Sequence, residues 1–247
     1  RVTGAFGFSV NEEVFYDFRA KAVLVATGGA AGLYRPNNPG FSRHKMWYSP
    51  FNTGAGFAMG IRAGAEMTSF EMRFIALRCK DTIAPTGTIA QGIGADQINS
   101  RGEKLQFQNT TFEIEGSEPY VVGGHTASGF WIDSNRRTTI ENLFAAGDVA
   151  GGCPQKYVTG SFAEGEIAAE SIEKFLAEQK NPRIEFDPRK ILDEINKFFT
   201  NESLFSIDDL EEAMQFAMDD YAGGIKTKYR FSEMGLEIAL KNIERIE

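Results

Sequence analysis

Three groups of residues have types and spacings that could do chemistry. The first is Leu143-Phe-Ala-Ala-Gly-Asp-Val-Ala-Gly-Gly152 with Thr159-Gly-Ser-Phe-Ala-Glu-Gly165. It reads as a short buried strand over 143–146, a Gly/Asp turn, a Gly/Pro loop and a helix opening at Gly160-Ser161. Gly147, Gly151, Gly152 and Gly160 let backbone come close to a flat ring or a phosphate. Asp148, at the strand's end, is placed to accept from a ribityl or ribose hydroxyl. The free N–H groups and partial positive charge of a helix start suit an electron-rich ring edge. A plain strand–loop–helix crossover would use the same glycines for packing. The second group weighs against that alternative: in Ala22-Val-Leu-Val-Ala-Thr-Gly-Gly29, Ala22 to Ala26 is a continuous apolar run, as in a strand buried on both faces, and Thr27-Gly28-Gly29 ends it. Ligands of α/β sheets bind at the carboxyl ends of strands, so Thr27, Gly28 and Gly29 are placed for a dinucleotide phosphate or adenosine, with a tight turn as the other reading.

The third group is charged and aromatic. Arg73 and Arg78 flank the apolar centre of Glu71-Met-Arg-Phe-Ile-Ala-Leu-Arg78. A guanidinium ending such a run suits a sulfate, phosphate or carboxylate; a salt bridge to Glu71 or Asp81 is the alternative. His125 is one of two histidines and follows two glycines in Val121-Val-Gly-Gly-His-Thr-Ala-Ser-Gly129. An imidazole in close-approach backbone can bind an anion or move a proton, or it can be a core histidine bonded to a carbonyl. Trp47 and Tyr48 lie in a polar loop, Leu33 to Pro50, beside Arg35, Arg43, His44 and Lys45. The aromatic pair either packs onto the core or stacks on a ligand ring.

The elements that would position these residues follow from pattern. Gly4–Val10 and Val14–Ala20 predict a hairpin across Asn11-Glu12-Glu13. Asn52 to Gly64 predicts a loop entering a small-residue helix, with Thr53 as N-cap and Gly54, Gly56 and Gly60 allowing close approach. Ala65 to Leu77 reads as extended, and 81–112 as an irregular excursion rich in Gly, Thr and Gln. Ile167, Ala168, Ile172, Phe175 and Leu176 form an apolar helical stripe, where Phe175 reads as core. Asp187-Pro188 opens a helix to about Phe199, and Ser206-Ile-Asp-Asp209 opens another with Leu210, Ala213, Met214, Ala217 and Tyr221 inward. Leu236, Ala239, Leu240, Ile243 and Ile246 predict a last helix that stops without a cap.

Composition excludes several classes. With 247 residues, 42% hydrophobic content and 21 Phe, the chain can bury a core. A net charge of −8 argues against nucleic acid or an anionic membrane as partner. No apolar run approaches the roughly 20 residues of a membrane span. Two cysteines without a CxxC cannot hold an iron–sulfur cluster alone, and their scarcity is compatible with a reducing cytoplasm.

The segments AKAVLVATGG, NTGAGFAMGIRAGAEM, GSEPYVVGGHTASGFWID and LFAAGDVAGG…TGSFAEG resemble the succinate dehydrogenase/fumarate reductase flavoprotein superfamily. Within it, the chain is most similar to the alpha subunits of adenylylsulfate (APS) reductases, through the Trp47-Tyr48 loop, FEMRFIALRCKD in place of an extended His-Pro-Thr segment, and GGCPQKYVTGSFAEG. The resemblance implies an α/β (α+β mixed) chain: the C-terminal part of a Rossmann-like FAD-binding domain at 1–80 and 118–180, a shortened capping region at 81–117, and the start of a helical domain at 181–247. It implies noncovalent FAD contacted by Thr27, Gly28, Gly29, Thr53, Gly54, Asp148, Gly160 and Ser161. It implies two-electron conversion of adenylylsulfate to sulfite and AMP, or the reverse, through a flavin N5–sulfite adduct. Arg78 and His125 would be catalytic, binding sulfate and phosphate oxygens, with Trp47 and Phe175 contacting substrate. Electrons would come from an iron–sulfur beta subunit, in the cytoplasm.

Three departures from the family's pattern stand out. The N-terminal GxGxxG is absent, the segment between Lys104 and Glu118 is short and lacks the family's substrate-binding arginine motif, and Ala55 replaces an acidic residue. The first two imply a fragment or an internally deleted version. The alternatives are a fumarate reductase/succinate dehydrogenase-like subunit acting on a dicarboxylate, and a truncated noncatalytic remnant.

Overall fold

The computed structural model describes residues 1–9, 11–12, 14–84, 92, 94, 96–98, 101–105, 113–152, 157–179, 189, 192–193, 195–196 and 204–246. The Asp187-Pro188 helix start and much of the 81–112 excursion lie outside the described residues. The elements in chain order are β1 (Gly4–Phe8), β2 (Phe15–Arg19), β3 (Val23–Val25), α1 (Ala55–Arg62), β4 (Met67–Thr68), β5 (Leu77–Cys79), β6 (Gln97–Ile98), β7 (Lys104–Leu105), β8 (Ile114–Gly116), α2 (Gly123–Thr126), β9 (Gly129–Phe130), β10 (Leu143–Ala145), α3 (Tyr157–Glu178), α4 (Ile207–Tyr221) and α5 (Glu233–Glu244). They fall into two units, each built from separate stretches of chain.

The first unit comprises Arg1–Gly29, Gly54–Met72 and Val121–Ser206. β1 and β2 form the predicted hairpin, in register from Gly4↔Arg19 to Phe8↔Phe15. β3 pairs in parallel with β10, Val23 beside Leu143 and Val25 beside Ala145. Leu143, Phe144, Ala145, Ala146 and Val149 are buried. β3 departs from the expectation of a strand buried on both faces, because Leu24 is 40% exposed and faces a groove.

α1 begins one residue later than expected. Its N-cap is Gly54, at φ 89, rather than Thr53, and no side chain caps it. A left-handed cap suits glycine, which has no Cβ to clash. Close approach explains Gly60, where a Cβ would overlap the ring of the fully buried Phe130. The 65–77 stretch is extended only at β4 and β5. α3 starts by Tyr157, three residues before the expected Gly160. Its buried face is Gly160, Glu164, Ala168 and Ser171, while Ile167 and Leu176 are exposed, so the predicted apolar stripe is rotated toward an acidic residue.

The second unit comprises Ala30–Thr53, Arg73–Tyr120 and Ile207–Glu247. β5 pairs antiparallel with β8, and β6 with β7. Two 3-10 turns, Pro39–Phe41 and Arg43–Lys45, shape the loop before Trp47. α4 and α5 pack on each other. On α4, Gln215, Ala217 and Asp219 are buried and Ala213 is exposed; on α5 only Ala239 is buried, with Leu236 and Leu240 exposed. Both helices therefore bury only part of the predicted face, Ala217 on α4 and Ala239 on α5. The reason is a polar lock at the end of α4. Arg73 donates to the carbonyls of Ala222, Gly223 and Tyr229, and the Tyr34 hydroxyl donates to Ala222 at 2.8 Å. One side chain thus satisfies three carbonyls of the loop that follows the helix.

Burial pushes the Asp219 carboxyl up to about 6, with Asp220 adding to the rise and Arg35 opposing it. The folded chain thus holds this proton to higher pH than the unfolded chain, whose ordinary value is 3.8. Stability linked to it is complete below about pH 4 and is lost as pH rises to about 6. Asp219→Asn cannot ionise. Its urea midpoint should exceed that of the wild type at pH 7, and the difference should shrink at pH 4. In the first unit, Gly60→Ala should cost roughly 1–3 kcal/mol by overpacking against Phe130, read as a lower midpoint with unchanged slope.

Candidate functional site

The parallel pair β3/β10 sets two strand ends side by side, and a groove opens at those ends. It is lined by Leu24, Ala26, Gly28, Ala146, Gly147, Asp148, Ser161 and Gly165, and holds about 170 Å³. That volume takes one portion of a dinucleotide rather than all of it. Gly28 and Gly147 have φ of 76 and 73, which turns the chain sharply after each strand. A Cβ on Gly147 would come within 3.7 Å of the Ser161 hydroxyl oxygen, narrowing the groove at its middle. Nothing lies within 4 Å of where a Gly165 Cβ would be. Ser161 and Gly165 are four apart on α3 and so share a face. The first N–H groups of α3 have no partner within the helix.

These features fit part of a flavin dinucleotide on the structure's own terms: a glycine cradle, an acceptor carboxylate at Asp148 and a hydroxyl at Ser161. Gly28, Asp148 and Ser161 come together here as the sequence predicts. Thr27 and Gly29 turn to other partners. A Cβ on Gly56 would overlap the Thr27 hydroxyl, and one on Gly29 would overlap the Val121 carbonyl. Gly160 is buried on the core side of α3. Thr53 is bridged to Ala30 in the second unit. Phe175 packs edge-on against Phe144, ring centroids 5.5 Å apart, and does not line the groove. Cys153–Lys156 of the predicted flavin loop lie outside the described residues.

His125 sits on the one-turn helix α2 rather than in loose backbone, with its ring edge-on to Tyr157 at 5.6 Å. Gly123 is explained by packing: a Cβ there would overlap the Ala150 carbonyl. In the second unit, Arg78 is 1% exposed. It stands directly across the ladder from Glu115, whose carboxylate lies 3.1 Å away, so neither Glu71 nor Asp81 is its ion-pair partner. Its Nε and Nη1 find no acceptor among the described residues. A buried guanidinium with open donors is costly, and it suits an incoming anion. Trp47 is half-buried in an aromatic cluster, 4.7 Å from Phe74 and 5.7 Å from Tyr120 between ring centroids.

Sequence reasoning missed the pair Arg136–Glu164. Arg136 meets the buried Glu164 through both Nε and Nη2, the latter at 2.9 Å. The pair lines a second hollow of about 310 Å³ with Ile132, Asp133, Ser134, Gly151 and Gly152. Its sequence signal is an acidic residue on the core-facing side of α3, visible only once that face is known.

The fold is that of known flavoproteins. Residues 1–116 match the family model for the FAD binding domain. The chain is similar to the adenylylsulfate reductase alpha subunit of Megalodesulfovibrio gigas, 23% identical over 296 residues, covering 75% of this chain and 44% of the relative. Among solved structures it is similar to adenylylsulfate reductase from Archaeoglobus fulgidus, with a TM-score of 0.84, 27% identity, and coverage of 99% of this chain and 57% of that one. A structure of adenosine-5-phosphosulfate reductase in complex with sulfite, as a covalent adduct, matches with the same values. The E. coli quinol fumarate reductase FrdA shares the fold, with a TM-score of 0.65, 15% identity, and coverage of 94% and 52%. The resemblance seen in the sequence is thus borne out: the chain has the mixed α/β flavoprotein fold of the adenylylsulfate reductase type. It spans about half the length of the proteins it matches.

Removing one member of the Arg136–Glu164 pair leaves the other charge buried. Glu164→Ala should cost roughly 3–5 kcal/mol by urea unfolding, more than Glu166→Ala on the exposed side of the same helix.

Proposed function

We propose that this chain is the flavin-binding part of an FAD-dependent oxidoreductase that converts adenylylsulfate and two electrons to sulfite and AMP, or the reverse. The observation that carries the reading is the buried Arg78 guanidinium with open donors, in a chain whose other unit carries a dinucleotide-type groove. FAD, held noncovalently, would supply the two electrons and an electron-rich N5 atom. Gly28, Gly147, Asp148, Ser161 and the α3 start would hold it, with Thr27, Gly29, Thr53, Gly54 and Gly160 shaping the backbone around those contacts.

In this reading the S–O bond to the phosphate breaks, sulfur leaves as sulfite and the bridging oxygen stays with AMP. Negative charge gathers on both products. Arg78 would stabilise it as a fork of N–H donors, and the family resemblance assigns the same task to His125 as a hydrogen-bond donor. Trp47 offers a half-buried ring face for positioning substrate. Phe175 acts through Phe144 behind the strand rather than by touching substrate. Electrons would arrive from a cytoplasmic iron–sulfur beta subunit. The short 81–117 stretch would serve as a reduced capping region.

Titration of the chain with FAD should give bound flavin whose absorbance bleaches on adding sulfite, more readily with AMP present. Gly147→Val adds bulk to the groove at a positive φ and should weaken FAD binding at least roughly tenfold. Arg78→Met should leave FAD binding intact while abolishing the AMP effect on bleaching. Reduced flavin reoxidised by fumarate but indifferent to AMP and sulfite would assign the chain to dicarboxylate chemistry. Absence of flavin binding would leave a noncatalytic chain.

A further inference from the structure

We propose that Glu118 and Tyr120 are positioning residues that set the orientation of Trp47, and through it the recognition of a ring-bearing substrate. The inference rests on the reading of Trp47 given above. Both side chains are buried, Glu118 at 1% and Tyr120 at 0% exposure. The Tyr120 hydroxyl donates to one Glu118 carboxylate oxygen in a short hydrogen bond. The same hydroxyl accepts from the Trp47 backbone N–H at 3.0 Å. The other carboxylate oxygen accepts from the Asn37 N–H at 3.2 Å, and the Asn37 side chain donates to the Gly116 carbonyl. Glu118, directly and through Tyr120, thus ties both ends of the segment from Asn37 to Trp47 to the stretch that follows β8. Burial, then the charge of Glu118, pushes the Tyr120 hydroxyl up, which keeps the phenol a donor to the carboxylate.

The geometry does more than hold the fold. The hydrogen bond fixes the backbone of Trp47, and the Tyr120 ring, 5.7 Å from the indole and 6.1 Å from Tyr48, backs the aromatic pair. A side chain needed only to fill this core would carry no hydroxyl and no buried carboxylate, since each costs free energy to desolvate. The acid–phenol–amide chain spends that cost on direction: an aromatic platform held in one pose loses less entropy on stacking a base.

The test uses the full chain with Trp131→Phe, leaving Trp47 as the sole tryptophan. Tyr120→Phe removes the hydroxyl and keeps the ring; Glu118→Gln keeps the shape and one acceptor oxygen. Tyr120→Phe should shift Trp47 emission to the red and raise its quenching by acrylamide, with FAD binding unchanged and quenching by AMP weakened roughly five- to tenfold. Glu118→Gln should fall between that variant and the parent. Trp47 emission and quenching identical in all three chains would overturn the proposal. So would insoluble chain from both variants, which would make the pair a folding element. Emission that shifts as expected while AMP has no effect even on the parent supports the positioning and rejects adenylylsulfate as the substrate.

Discussion

The first unit depends on one constraint: β3 and β10 run parallel. A parallel pair cannot be joined by a tight hairpin, so the chain must leave and return between them. Their carboxyl ends consequently open on the same side, and the turns after them, at Gly28 and Gly147, form two walls of one groove. The remaining walls come from the helix that follows the second strand. Ser161 and Gly165 line the groove because that helix packs Gly160, Glu164 and Ala168 toward the core, which turns the adjoining face to the strand ends. The Arg136–Glu164 pair fixes this rotation. A buried carboxylate meeting a guanidinium through two nitrogens tolerates little rotation of the helix about its axis.

The second unit is organised by buried polar groups rather than by a large apolar interior. Arg73 gathers three carbonyls after α4, Glu118 gathers a phenol and a backbone amide, and Arg78 faces Glu115 across a two-stranded ladder. Each of these is costly to bury alone and acceptable when its partners are fixed. Such networks have few alternative arrangements, so they specify loop conformation where side-chain packing alone would leave a choice. The loop before Trp47 gains a definite path by this means, aided by Arg35, whose guanidinium lies 3.8 Å from the centre of the Phe41 ring and 4.1 Å from that of Phe216.

The sequence made local geometry legible wherever the cause is local. The β1–β2 hairpin, the parallel strand ahead of the Gly-Asp turn, and the small-residue helix at α1 follow from alternation, apolar runs and glycine spacing. Gly28 and Asp148 were legible for the same reason, since each follows a strand end, whereas Ser161 lines the groove from within α3 rather than from its start. What escaped depends on partners remote in sequence. Thr27 and Gly29 carry the look of ligand contacts, but their local pattern gave no sign that Gly56 and Val121 pack closely against them. The faces of α3, α4 and α5 were read only in part: Ala168, Ala217 and Ala239 are buried as predicted, but hydrophobic periodicity gave no sign that α3 buries Glu164 and α4 buries Gln215 and Asp219. Arg78 shows the same limit: its ladder partner Glu115 is 37 positions away and is set by strand register, which no local pattern reveals.

The proposed choice of substrate follows from which groups discriminate and which do not. An arginine fork accepts a carboxylate as readily as a sulfate or phosphate, so Arg78 alone leaves dicarboxylates and sulfonucleotides equally welcome. The shared fold with fumarate reductase carries no more discrimination than that. A stacking surface differs, because a small dicarboxylate has no ring to place on it. The Trp47 cluster occupies the same unit as Arg78, and its backbone is held through a buried phenol and carboxylate. An enzyme for a small diacid would gain nothing from such a platform and would bear the desolvation of Glu118 for no return. The buried acid beneath the aromatic pair is therefore the better argument for a base-bearing substrate than the arginine that would hold its charge.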